Sequence, residues 1–164
     1  MNNPAASRAF VALGSNLAEP EGQVKMALAA LACLPLTHLR AQSALYRSTP
    51  VGYAEQPDFI NAVALVETAL SAHDLLQFLL SIERDFGRIR DFRNAPRTLD
   101  LDLLVYGDLI LHEAGLTLPH PRMHERAFVL IPLLEIAPDC VIPGKGQAAD
   151  WLWQVSEQTI VCVS

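Results

Sequence analysis

The sequence has no G-x-x-x-x-G-K-[ST] run, which excludes a P-loop, and Gly14-Ser15-Asn16 is too short to cradle a phosphate in the same way. Cysteine is scarce. Cys33, Cys140 and Cys162 are odd in number and far apart, which fits neither a disulfide framework nor a zinc site, so they read as ordinary thiols. Long apolar runs are also missing. The longest, residues 26–36 and 127–137, fall short of the roughly 20 residues of a bilayer-crossing helix, and Pro35 and Pro132 interrupt them. The opening residues lack the basic start and apolar stretch of a signal peptide, so a cytoplasmic location is expected. Positive charge is in deficit, with 12 Lys+Arg against 18 Asp+Glu, which argues against general attraction to nucleic acid. What the chain does have is apolar content. Hydrophobic residues make up 51% of its 164 positions, enough for one sizeable core and for a single domain over residues 1–164.

Residues 8–13 are expected to form a strand that stops at Gly14-Ser15-Asn16, and Pro20 with Glu21 suits the first turn of a helix. That helix would reach about residue 34, with Val24, Ala27, Leu28 and Leu31 at helical spacing and Pro35 ending it. Residues 39–47 read as a second strand. A turn-rich segment, 48–57, then leads into a buried strand at 59–67. Ser71 is the expected N-cap of a helix whose apolar stripe is Leu75, Leu79, Ile82 and Phe86, with Gly87 as a left-handed C-cap. An arginine-rich loop at 88–98 precedes a strand at 99–106. The order βαββαβ predicts an α+β fold, a ferredoxin-like α/β sandwich with an antiparallel sheet and both helices on one face. Further helices are expected at 128–136, despite Pro132, and at 150–155, with a loop at 143–146 between them.

The strongest chemical signal is Arg97-Thr98-Leu99-Asp100-Leu101-Asp102, where the two-residue period of a strand puts Asp100 and Asp102 on one face. Two like charges about 7 Å apart repel, so the pattern suits a cation, and Mg²⁺ takes few carboxylates and leaves its other positions to water and phosphate. A solvated strand face would show the same alternation. Arg88, Arg90, Arg93 and Arg97 crowd into the preceding loop of an acidic chain, and guanidinium forks match phosphate oxygens. A solvated loop is the other reading of that run. Phe59 and Asn61 point the same way from their strand, offering a ring face and an amide to a flat heterocycle, although taken alone the pair reads first as a core Phe beside a structural Asn. His120 lies between Pro119 and Pro121 on what should be a rigid turn within reach of a phosphate, and Arg126 adds a further anion-binding group. His38, His73, His112 and His124 read as surface or packing residues.

In five ordered motifs the chain resembles the 6-hydroxymethyl-7,8-dihydropterin pyrophosphokinase family, which transfers pyrophosphate from ATP to the pterin hydroxymethyl group in folate biosynthesis. The motifs are VALGSNL at residues 11–17, YRSTPVG at 46–52, QPDFINA at 56–62, PRTLDLD at 96–102 and LPHPRM at 118–123. The resemblance implies that Asp100 and Asp102 hold two Mg²⁺ ions. It also implies that Arg88, Arg97, His120 and Arg126 contact or organise the ATP triphosphate, with Glu83 and Arg90 near the nucleotide. The pterin is expected between Phe59 and Phe128, its polar edge read by Asn61, Ser48 and the backbone around Thr49 and Val51. The arginine loop would act as a lid, and a monomer is expected. Asn94-Ala95-Pro96 and Gly115 depart from the family pattern at positions that bear on lid closure and ATP affinity. Two other readings of the same residues stand beside this one. A Mg²⁺-dependent phosphotransferase or nucleotide hydrolase would act on another acceptor, and a silent binding module would bind nucleotide weakly or without Mg²⁺.

Overall fold

The computed structural model describes residues 5–17, 19–49, 57–87 and 99–163. In chain order these form β1 (Ser7–Ser15), α1 (Pro20–Ala32), β2 (Thr37–Gln42), β3 (Tyr46–Ser48), β4 (Phe59–Thr68), α2 (Ala72–Asp85) and β5 (Asp100–Tyr106). A hairpin follows, β6 (Leu111–Glu113) and β7 (Leu116–Leu118), then a 3-10 turn at Met123–Glu125 and α3 (Ala127–Ile136). A small hairpin, β8 (Val141–Ile142) and β9 (Gly146–Gln147), a 3-10 segment at Ala148–Val155 and β10 (Ile160–Cys162) complete the order.

The main sheet has six strands in the order β10-β3-β4-β1-β5, with β2 also paired to β4, and its ladders are antiparallel. Taken as two halves of one interrupted strand, β2 and β3 complete the βαββαβ order, and the fold is the expected α+β ferredoxin-like arrangement. β1 and β4 are buried along most of their length because both faces of the sheet are covered. Ala9, Val11, Leu13, Ala62, Ala64 and Val66 pack beneath α1 and α2, against Val24, Leu28, Leu31, Leu75, Leu79 and Ile82. Phe10, Ala12, Val63 and Leu65 point the other way and pack with Leu130 and Leu133 of α3, and with Ile142, Ala148 and Val155.

The expected second strand at 39–47 is corrected to two strands, and Ser43 is the physical reason. Its backbone N–H donates to Val63 O at 2.9 Å, while its hydroxyl accepts from Val63 N at 3.0 Å. A side chain thus takes a ladder bond that a backbone carbonyl would have accepted. Glu135 of α3 then receives the Ala44 N–H at 3.0 Å and the Tyr46 hydroxyl at 2.5 Å, which fixes the break. α1 stops at Ala32, before Pro35, because the Cys33 and Leu34 amides turn back to Ala30 and Leu31 carbonyls. β1 extends through Gly14 to Ser15, paired with Ile60. The expected helix at 150–155 is a 3-10 segment beginning at Ala148, and the loop at 143–146 closes the β8–β9 hairpin.

α2 carries its expected signals: Ser71 Oγ accepts from Asp74 N at 3.1 Å, and Gly87 has φ +78°, a conformation glycine adopts without strain. Replacing Ser71 with Ala is expected to cost about 1 kcal/mol. Thermal unfolding followed by circular dichroism should show Tm lowered by about 2–4 °C.

Candidate active site

The site starts where β5 starts. Leu101 and Leu103 are buried toward α1 and α2, so the alternation of the strand turns Asp100 and Asp102 to the α3 face, where both remain partly exposed. The pairing of β5 with β1 sets Asp100 opposite Gly14 and Asp102 opposite Ala12. On its other side, β1 sets Gly14 opposite Asn61, and Asn61 in turn faces Tyr46 of β3. Asp100, Gly14, Asn61 and Tyr46 therefore form one row across four strands. Two strand spacings put Asp100 and Asn61 about 10 Å apart, with only glycine between them. A Cβ at position 14 would stand 3.3 Å from Asn61 Oδ1, tighter than ordinary contact.

Asn61 is buried, and its Nδ2 donates to Ser48 Oγ at 2.7 Å, which fixes the orientation of the amide. Phe59 lies opposite Ser48 in the β3–β4 ladder. Phe128, on the first turn of α3, faces this row with the Arg126 guanidinium 5.5 Å from its ring centroid. Together Ser48, Thr49, Phe59, Asn61, Arg126 and Phe128 line a cavity of about 400 Å³ that ends at Asp100 and Asp102. A second cavity, of about 460 Å³, meets the same two carboxylates from the other side and is lined by Leu76, Glu83, Thr117 and His120. The aspartate pair borders both.

Glu83 is 2% exposed, and its Oε2 accepts the Leu101 N–H at 2.8 Å. That bond grips β5 between the two aspartates. His120 is anchored by its own N–H on Leu104 O at 2.8 Å, and its Nδ1 accepts from Arg122 N at 3.2 Å. Burial, with the Arg126 and Arg122 charges, pulls its pKa down to about 4 against the opposing pull of Asp100. The ring is neutral at pH 7, and with Nδ1 accepting, Nε2 carries the proton.

The structure thus gathers ten of the expected residues around two adjoining cavities: Ser48, Thr49, Phe59, Asn61, Glu83, Asp100, Asp102, His120, Arg126 and Phe128. Arg126, expected at ATP, lines the cavity of the aromatic pair. Val51, Arg88, Arg90 and Arg97 lie outside the described residues. Sequence reasoning missed Arg122, Glu125 and Gln158 in the aromatic cavity. Arg122 and Glu125 sit in the histidine-proline segment already singled out, whereas no local pattern marks Gln158. Among the described residues no three His, Cys, Asp or Glu side chains cluster as a metal cage. Two hard carboxylates beside open space fit Mg²⁺, which draws its other ligands from water and phosphate, better than Zn²⁺.

Fold and site together define a ferredoxin-like α+β domain in which two cavities meet at one carboxylate pair. The 7,8-dihydro-6-hydroxymethylpterin-pyrophosphokinase (HPPK) family matches residues 10–138, and the chain belongs to it. Relatives called 2-amino-4-hydroxy-6-hydroxymethyldihydropteridine pyrophosphokinase include one from Pseudomonas aeruginosa, 52% identical over 83% of this chain and 84% of its own length. Another, from Haemophilus influenzae, is 45% identical over 93% of this chain and 96% of its own length. Among solved structures, a triple mutant of Plasmodium falciparum HPPK-DHPS superposes with a TM-score of 0.75 over 95% of this chain, at 13% identity. The chain spans 46% of that protein's length, and at such low identity the likeness speaks for the fold.

Two outcomes test the geometry. Glu83→Leu leaves the buried Leu101 N–H without this acceptor and is expected to lower stability by about 1–3 kcal/mol in urea unfolding, whereas Glu83→Gln keeps an acceptor and loses less. In an NMR titration, His120 should titrate near pH 4. Because its folded pKa lies below the unfolded value of about 6.5, its contribution to stability is complete above that pH and declines as pH falls from 6.5 toward 4.

Proposed function

We propose that this chain transfers pyrophosphate from MgATP to the hydroxymethyl group of 6-hydroxymethyl-7,8-dihydropterin and releases AMP, a step of folate biosynthesis. One observation carries the reading: Asp100 and Asp102 border both cavities, so substrates occupying them would meet at the carboxylates. Family membership and the names of the relatives supply the chemical identity of the two substrates.

In this reading the pterin ring lies between Phe59 and Phe128, whose faces offer offset stacking. Asn61, held by Ser48, presents a fixed amide to the polar edge, with Thr49 and the backbone at Val51 completing recognition. ATP occupies the larger cavity. His120, neutral, donates from Nε2 to a phosphate oxygen, and Arg126, with Arg88, Arg90 and Arg97 from the arginine loop, offsets the triphosphate charge. Glu83 serves the nucleotide side through the strand, by holding Leu101 and with it the spacing of the aspartates. Mg²⁺ bound by Asp100 and Asp102, two ions in this reading, supplies neutralisation of the phosphate oxygens. The pterin hydroxyl oxygen bonds to the β-phosphorus as the bond from that phosphorus to the α,β-bridging oxygen breaks, and AMP leaves with the electron pair. Among the described residues no imidazole lines the pterin cavity, so the hydroxyl proton passes to a carboxylate of the pair or to water. The chain acts as a single catalytic domain, a monomer of the cytoplasm. No helix among the described residues is long and apolar enough to cross a membrane.

³¹P NMR of a mixture of ATP, Mg²⁺ and the pterin alcohol should show AMP and a diphosphate ester. Asp102→Ala is expected to keep the fold and lose turnover on the order of a thousandfold. ADP or orthophosphate as product would assign a different acceptor, and near-normal turnover by the variant would refute the role of the pair.

A further inference from the structure

We propose that Gln158, which lies beyond the residues matched by the family, is a positioning residue for the aromatic cavity. The inference rests on the reading that this cavity takes the pterin. Ala127 is the first residue of α3, and its N-cap, Arg126, supplies no side-chain cap. The Ala127 N–H is therefore one of the donors a helix start leaves without an intrahelical partner. Gln158 Oε1 accepts it at 2.8 Å, and Gln158 Nε2 donates to Glu125 O at 2.8 Å.

Those two groups belong to the peptide units on either side of Arg126. One side-chain amide thus holds both planes, and with them the extended backbone, φ −125° and ψ 115°, from which the Arg126 side chain leaves toward Phe128. Gln158 is itself tied down on both sides. Its own N–H donates to the carbonyl of buried Val155 at 3.0 Å, and two residues later Ile160 pairs with Ser48. The segment from Val155 to Ile160 thereby joins two walls of the cavity, the strand that carries Ser48 and the turn that carries Arg126 and Phe128. Gln158 also lines the cavity.

The test compares the full chain with Gln158→Leu, which keeps bulk and loses both bonds, and Gln158→Glu, which keeps an acceptor for the Ala127 N–H. Pterin and ATP affinities are measured separately by fluorescence titration, with amide hydrogen exchange at Ala127 and Tm alongside. Gln158→Leu should weaken pterin binding about five- to tenfold, the scale of one or two net hydrogen bonds, weaken ATP binding distinctly less because Arg126 is one of four arginines assigned to the triphosphate, and speed exchange at Ala127. Gln158→Glu should recover part of the pterin affinity. Unchanged pterin affinity in Gln158→Leu, or equal weakening of both ligands with a lowered Tm, overturns the positioning role. A wild-type chain that releases no AMP from ATP and the pterin refutes the proposed reaction and this role with it. The two failures are told apart because the second appears before any variant is made.

Discussion

The pairing of β5 with β1 puts two like charges on an edge strand opposite the two smallest side chains available, Gly14 and Ala12. Everything else about the site follows from that register. A larger residue at either position would fill the space above the sheet, and at position 14 it would also push on the Asn61 amide. Because small residues stand there, the carboxylates and the amide face one open floor about two strand spacings wide. A shift of one residue would turn Asp100 and Asp102 into the apolar layer under α1 and α2, where two unpaired carboxylates are prohibitively costly. Burial of Leu101 and Leu103 is what forbids the slip.

The two faces of the sheet divide the work. The face under α1 and α2 is hydrocarbon except where the buried Glu83 carboxylate meets Leu101 N–H, and it holds the strands in register. The other face is apolar only where α3 and the C-terminal segment cover it, at Phe10, Val63 and Leu65, and becomes polar where they end. A bulge at Phe10/Val11 marks the change, since beyond it Leu104 and Val105 both join the apolar cluster. Polar groups at the boundary are each held by a backbone partner or a neighbouring side chain: Glu83 on Leu101, Asn61 on Ser48, His120 on Arg122. Preorganisation of this kind limits the reorganisation needed when charge develops between bound substrates.

Several features were legible because a local period reveals them. Asp100-Leu101-Asp102-Leu103 announces a strand with one acidic and one apolar face, and Leu75, Leu79 and Ile82 announce a helix capped by Ser71. The break at residues 43–45 was not legible. It depends on Ser43 meeting Val63 and Glu135 meeting Ala44 and Tyr46, contacts 20 and about 90 residues apart in sequence. The short hairpins and β10 escaped for a related reason, since two- and three-residue strands carry no period long enough to read.

The sequence by itself determined the class of chemistry, because hard carboxylates, guanidinium groups and an aromatic–amide pair are properties of residue type and short spacing. It also determined the fold class, through the order of strand-like and helix-like periods. Only the tertiary structure decided that the aspartates separate two cavities, that Arg126 stands with the aromatic pair, and that Glu83 bonds to the strand between the two aspartates. It alone decided that Gln158 belongs to the site at all. Those outcomes depend on which distant strands pair and in what register, and that choice is made by burial of the whole sheet between its two covering layers rather than by any stretch of residues read alone.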